Sequence, residues 1–258
     1  MSRTFKITVA YDGTHFAGWQ VQPEQPTIQG MLERAILRIT GEAVRVIGSG
    51  RTDSGVHAIA QVANFTLAGW EHAAERLRSA INTQLPETIL VHELVDAPDG
   101  FHAIRDAVRK RYRYQLQIGG APDVFQHPYH WRLKGEMSLE RIQEAVRLFV
   151  GEQDFASFQA AGSERQSTVR EIFACELCQQ SKSEFGAIHV AIEVEANGFL
   201  YNMVRNIVGT LAEVGRGKHP PSWVSEVIAA KNRDVAGPTA PAHGLYLLRV
   251  DYPAFADS

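Results

Sequence analysis

Ten consecutive residues, Gly48-Ser49-Gly50-Arg51-Thr52-Asp53-Ser54-Gly55-Val56-His57, bring together the residue types that chemistry needs. Three glycines within eight residues allow positive φ and a close approach of backbone to a ligand. One arginine and one aspartate stand between them. A carboxylate can serve as nucleophile or base, and an arginine nearby keeps it ionised. Two phosphate loops are excluded. Asp53 stands where the last glycine of a G-x-G-x-x-G belongs, and no Gly-Lys-Ser/Thr follows as in a Walker loop. The residues alone also fit a polar turn in which Asp53 makes a local Asx bond.

A second stretch, Arg105-Asp106-Ala107-Val108-Arg109-Lys110-Arg111-Tyr112-Arg113-Tyr114, sets five cations against one anion within nine residues. Cations contact phosphate and tyrosines stack on bases. A solvated basic strand face above a core tyrosine pair has the same composition. A third stretch, Asn197 to Asn206, opens with an Asn-Gly turn and runs into a helix. Arg205, two residues past Met203, lies off the centre of the apolar stripe. It reads as a flank residue that snorkels, or as an inward charge with a carboxylate partner. Tyr11-Asp12-Gly13, with Phe16 and Trp19, reads as a turn holding aromatics. Cys175 and Cys178 form an isolated C-x-x-C on a strand, where residues three apart point to opposite faces, a poor geometry for one metal. His127-Pro128-Tyr129-His130 has no metal-site companion.

The elements that must hold these groups follow from periodicity. Alternation predicts a first strand over Thr4 to Tyr11. Thr27 caps a helix whose face is Ile28, Met31, Leu32, Ala35, Ile36 and Ile39. Strands are predicted over Ala43–Ile47, His57–Thr66 and Thr88–Val95, with a helix over His72–Gln84. That order, βαββαβ, is ferredoxin-like. The second half repeats it. In its first strand Val108, Tyr112, Tyr114, Leu116 and Ile118 lie on one face and Arg109, Arg111 and Arg113 on the other. Ser138 caps a helix over Leu139–Val150, ended by Gly151. Strands are predicted over Thr168–Cys178 and Phe185–Ala196, then a helix over Leu200–Val214 and a short one after Ser222. Gly244–Tyr252 closes the chain. The expected fold is α+β, two ferredoxin-like halves, 1–106 and 107–258, with a catalytic cleft between them.

Composition sets outer limits. Apolar residues make up 45% of 258, enough for a sizeable core. The formal charge of −3 lacks the basic surplus common in nucleic-acid binders, although binding depends on where charges sit. No apolar run approaches the roughly 18–20 residues of a membrane span. Two cysteines are too few for a disulfide framework. The opening Met1 to Lys6 leads into a strand without an apolar leader. A soluble cytoplasmic protein is expected.

Taken together the stretches resemble the tRNA pseudouridine synthase A family. The motifs are Tyr11-Asp12-Gly13 through Gly18-Trp19-Gln20, and Gly50 to His57. Phe101-His102-Ala103 with Arg111-Tyr112-Arg113-Tyr114 is the third, Phe199 with Met203 to Gly209 the fourth, and Gly244-Leu245-Tyr246-Leu247 the last. The likeness runs in order from about residue 4 to 252. Ser54 departs from it, since many members carry alanine there. The resemblance implies isomerisation of uridine to pseudouridine in the anticodon arm of tRNA, at positions 38, 39 and 40. It also implies a homodimer, with no cofactor, metal or membrane. It makes Asp53 the catalytic nucleophile. Arg51 fills the space of the displaced base, Tyr112 packs against the target base, and Arg205 pairs with Asp53. Arg109, Lys110, Arg111 and Arg113 are the candidates for phosphate contact. Two other classes fit parts of the sequence: a non-catalytic tandem RNA-binding module, which lacks the aromatic RNP1 pattern, and a hydrolase using Asp53, which lacks a second carboxylate motif.

Overall fold

The computed structural model describes residues 2–253 except 161, 163–166 and 184–185, and it leaves the side chains of 179 and 180 undescribed. The chain is mixed α+β and divides into two compact units. One is the chain up to Val108 with the chain from Tyr246 onward, and the other is Arg109–Leu245. The closing strand groups with the first unit.

In the first unit β1 (Arg3–Tyr11) is followed by α1 (Ile28–Thr40), β2 (Ile47–Gly48), β3 (His57–Leu67), α2 (Ala74–Gln84) and β4 (Ile89–Asp96). β1 lies between β3 and β4, antiparallel to both. Its alternate residues Phe5, Ile7, Val9 and Tyr11 are buried, as period two requires. Thr27 accepts from the Gly30 N–H, and Gly41 ends α1 in the left-handed region, so both ends are capped. Ile28, Leu32, Ala35 and Ile36 face the core with Leu77 and Ile81 of α2.

The strand predicted over Ala43–Ile47 shrinks to two residues paired with β3. Side chains of α1 explain this: Glu33 accepts the Val46 N–H and Gln29 donates to the Val46 carbonyl. Those backbone groups are satisfied without a ladder. On β3, Tyr246 and Leu247 of the closing strand pair in parallel with His57 and Ala58.

The second unit holds β5 (Arg109–Ile118), β6 (Trp131–Leu133), α3 (Leu139–Val146), β7 (Gly151–Asp154), β8 (Val169–Lys182), β9 (Ile188–Ala196), α4 (Met203–Gly215) and α5 (Trp223–Ala230). β10 (Leu245–Asp251) is the closing strand. β9 lies between β5 and β8, β7 extends beyond β8, and β6 pairs with β5. β6 and β7 are too short to leave a periodic signal. The helix read to Val150 changes to a 3-10 turn at Arg147. Phe185, read as a strand's first residue, lies outside the described residues. Tyr114, Leu116, Ile192, Val194, Phe149, Phe158, Ile207 and Leu211 are core. α4 was read as having one apolar face, yet every residue in it except Arg205 is buried. Among the described residues, no helix is long and apolar enough to cross a membrane.

Candidate active site

In the first unit the Asp53 turn is seated on the loop after β1. The Thr52 carbonyl accepts the Trp19 N–H at 3.0 Å, and Ser54 Oγ donates to the Phe16 carbonyl at 3.1 Å. Gly18 has φ +96°, and a Cβ there would stand 2.6 Å from the Thr52 carbonyl oxygen. Only glycine fits both the dihedral and the gap. Beneath the turn, Tyr11 Oη and Thr52 Oγ1 share a buried hydrogen bond of 2.7 Å. Burial pushes the Tyr11 phenol up to about 12, so it stays protonated at neutral pH. Behind it, Gln61 accepts from Ser49 Oγ and donates to the Gly50 carbonyl. The Val56 N–H bonds to the Asp53 carbonyl at 3.1 Å, which closes the turn. The outcome is a fixed backbone carrying a half-buried Asp53 carboxylate and an exposed Arg51.

His57 takes a part that its type and spacing did not reveal. Its ring is buried and stacks on Tyr246 at 4.6 Å. Nδ1 lies 3.1 Å from the Gly13 N–H and 3.1 Å from Asp12 Oδ1. An unprotonated Nδ1 accepts from Gly13, whereas a protonated one donates to Asp12, so the two bonds belong to different states. Asp12 Oδ1 also accepts from the Thr14 backbone and hydroxyl, an Asx turn. Tyr11-Asp12-Gly13 is thus the seat of the Asp53 turn. Its sequence signal was a run of turn residues with no chemical partner in sight.

In the second unit the strand of alternating Arg and Tyr is resolved into two faces. Tyr112, buried to 8% exposure, meets Phe199 edge-on at 5.0 Å. Tyr114 is fully buried and donates its hydroxyl to the Pro241 carbonyl at 2.7 Å. On the other face the arginines already have partners. Arg109 Nη1 lies 3.3 Å from Glu195 and its guanidinium 4.2 Å over the Phe173 ring. Arg111 bonds Glu193 through Nε and Glu176 through Nη2, and Arg113 bonds Glu193. Burial would raise the Glu193 carboxyl, but Arg113 and Arg111 hold it below the usual carboxylate range. Lys110 alternates onto the Tyr112 side of β5.

The Arg205 guanidinium is bonded to protein groups on two of its edges. Nε donates to the Ala240 carbonyl at 2.7 Å and Nη1 to Asn202 Oδ1 at 2.8 Å. Arg51 and Asp53 thus share one turn of the first unit, while Tyr112 and Arg205 stand on β5 and at the start of α4 in the second. Cys175 is buried and burial pushes its thiol up, while Cys178 is partly exposed. Among the described residues no group of three or more His, Cys, Asp or Glu side chains is placed to hold a metal ion.

The family described as tRNA pseudouridine synthase matches residues 7–104 and 145–253. A Thermoanaerobacter protein named tRNA pseudouridine synthase A is 42% identical over 250 residues, covering 97% of this chain and 100% of that one. A protein of the same name from Limosilactobacillus fermentum is 44% identical over 257 residues, covering 98% of each. One from Brevibacillus brevis is 42% identical over 250 residues, covering 97% and 100%. The first matched segment includes the Asp53 turn and the second includes α4 with Arg205, and the chain belongs to the tRNA pseudouridine synthase family.

Proposed function

We propose that this chain isomerises uridine to pseudouridine in the anticodon stem-loop of tRNA, with Asp53 as the carboxylate that acts on the target nucleotide. The observation that carries the reading is the near end-to-end match to relatives named for that activity. The Asp53 turn supports it chemically. A half-buried carboxylate on a backbone fixed by the Thr52, Ser54 and Val56 bonds is preorganised for attack or proton transfer.

The reaction breaks C1′–N1, turns the base and joins C5 to C1′. N1 gains a proton and C5 loses one, so no electrons or water are consumed overall. The base must leave the stack, at a cost of a few kcal/mol. Arg51 is assigned to the vacated space and Tyr112 to the face of the target base, which offsets that cost by filling and stacking. Arg205 is assigned to keep the Asp53 carboxylate ionised. Of the basic run, the three arginines are engaged with carboxylates, and Lys110, on the Tyr112 side of β5, is assigned the phosphate contact.

Each unit is read as ferredoxin-like. The neighbour order β4-β1-β3-β2, antiparallel throughout, supports this for the first. The series β5-α3-β8-β9-α4, with β9 between β5 and β8, supports it for the second. The reading includes a cytoplasmic homodimer, which sedimentation equilibrium tests.

The deciding assay uses tRNA carrying tritium at uracil C5. Isomerisation releases tritium to water, whereas RNA binding alone or glycosidic hydrolysis does not. Asp53→Asn keeps the side-chain shape, so folding and RNA affinity should persist while release is lost. Steady release by the purified variant would remove Asp53 from the reaction.

A further inference from the structure

Asn202 stands just before α4 with φ 58° and ψ 11°, in the left-handed region that non-glycine residues rarely adopt. A residue at this place commonly uses its side chain to cap the helix, and Asn202 makes no such bond. Its carbonyl accepts the Asn206 N–H at 2.9 Å, which starts the helix and needs no side chain. Instead, Oδ1 accepts from Nη1 of Arg205 at 2.8 Å. The strained backbone therefore serves the arginine and not the helix end.

The opposite edge of the guanidinium is held as firmly. Nε of Arg205 donates to the Ala240 carbonyl at 2.7 Å, and the Ala240 N–H donates back to the Arg205 carbonyl at 3.1 Å. The segment carrying Ala240 is strapped to α4. The Gly237 N–H bonds Thr210 Oγ1 at 3.0 Å, and Thr239 Oγ1 donates to Asn206 Oδ1 at 2.7 Å. Arg233 bonds both Asn206 Oδ1 and the Gly237 carbonyl. Asn206 is fully buried and its Nδ2 donates to the Phe158 carbonyl, so its amide is pinned on both sides. Gly209 lies so close under Pro238 that a Cβ there would collide with the Pro238 carbonyl.

We propose that Asn202 is a positioning residue for Arg205, setting the plane of its guanidinium against the strap carbonyl of Ala240 before substrate arrives. An arginine with this many rotatable bonds loses rotamer freedom when it binds, and fixing it beforehand removes that cost from the reaction. The inference rests on the reading of Arg205 as a substrate-site residue.

Asn202→Gly tests it, because glycine accepts the left-handed backbone without a Cβ and removes only the acceptor. The melting midpoint should stay level or rise, and affinity for tRNA should hold. The single-turnover rate of tritium release should fall roughly 10–100-fold, the scale of a misplaced catalytic-site group. Asn202→Asp keeps an acceptor at the same atom and should recover most of that loss. Wild-type turnover by Asn202→Gly would overturn the proposal, as would a rate loss that follows the melting midpoint down and is not recovered by Asn202→Asp. Arg205→Ala is measured alongside. If it too turns over normally, the reading of Arg205 has failed. If it is slow while Asn202→Gly is fast, the positioning role alone has failed.

Discussion

Replacing Arg111 with glutamine separates two uses of the basic strand. The Arg111 guanidinium bonds Glu193 through Nε, meets Glu176 at 2.9 Å and lies 3.5 Å from Glu195. Glu193 and Glu195 are only 7% and 6% exposed, so their charges are poorly screened. Burial works against the Arg111 cation, yet the bonds and charges of Glu193 and Glu176 raise its pKa. Breaking one side of a buried pair costs about 3–5 kcal/mol, and an exposed pair is worth at most about 1 kcal/mol. The Arg111 side chain is 23% exposed and Glu193 keeps Arg113, so the loss lies between, at about 2 kcal/mol. For a chain of this size that lowers the melting midpoint by about 4–8 °C.

The assay pairs thermal melting with tRNA binding across a salt series. A true phosphate contact contributes roughly 0.7–0.9 to the slope of log affinity against log salt. Arg111→Gln should lower the midpoint and leave the slope alone, because its charge is already matched by carboxylates. Lys110→Gln should flatten the slope by that amount. If Arg111→Gln flattens the slope and melts like the parent, the ion-pair ladder is not what holds this arginine, and the assignment of the two faces of β5 is wrong.

Tyr112 and Tyr114 share a face, and the proposed function gives them different roles. Tyr112→Leu keeps most of the apolar volume against Phe199 but loses the flat ring, so turnover should fall by a factor matching about 1–3 kcal/mol of base stacking; a rate equal to the parent's would make Tyr112 a packing residue. Tyr114→Phe should instead lower stability by about 1–2 kcal/mol, seen as a lower melting midpoint, since the buried Pro241 carbonyl loses its donor. Stability should also fall in mild acid. Burial holds His130 and His243 below the ordinary histidine value of 6.5, so the unfolded chain binds more protons than the folded one. Their contribution is complete above about pH 6.5 and is lost as pH falls below it, whereas Glu193, held low by its arginines, stays ionised until well below that window. Melting at pH 7 and pH 5.5 checks this, and His243→Gln should shrink the difference; identical midpoints in the parent would refute it.

What the sequence disclosed was local. Period two in β1, the Thr27 cap and the alternation of Arg and Tyr in β5 each involve residues within a few positions of one another, and each has its expected form. What it withheld was long-range. The basic face of β5 read as open to phosphate because Glu176, Glu193 and Glu195 lie more than sixty residues downstream, on strands whose register the sequence does not show. The strand read over Ala43–Ile47 had the right residues, but Gln29 and Glu33 had already taken the Val46 backbone. Arg205 was correctly placed off the apolar stripe, but its partner Ala240 is thirty-five positions on. The resemblance makes Tyr112 a contact of the target base. At 8% exposure against Phe199 it is also core, so truncating it to alanine costs about 3–5 kcal/mol and cannot isolate the base contact.

Burial divides each motif into residues that seat the backbone and residues that are available to react. In Gly50 to His57, Thr52 and His57 are buried and bonded to Tyr11 and Gly13, whereas Asp53 is half-buried and Arg51 is exposed. In Asn202 to Gly209, Asn206 is buried in the strap network while Arg205 alone of α4 keeps partial access to solvent. A fully buried carboxylate or guanidinium would have its charged form penalised by desolvation and could not reach a nucleotide. A fully exposed one would keep its rotamer freedom and much of its hydration, and would gain little from being fixed. Partial burial on a backbone locked from below satisfies both demands, and Asp53 and Arg205 share it with Tyr112 only at its most buried limit. On the proposed reading, a change at a residue that holds a reactive group is expected to act through the position of that group, as proposed for Asn202 and Arg205.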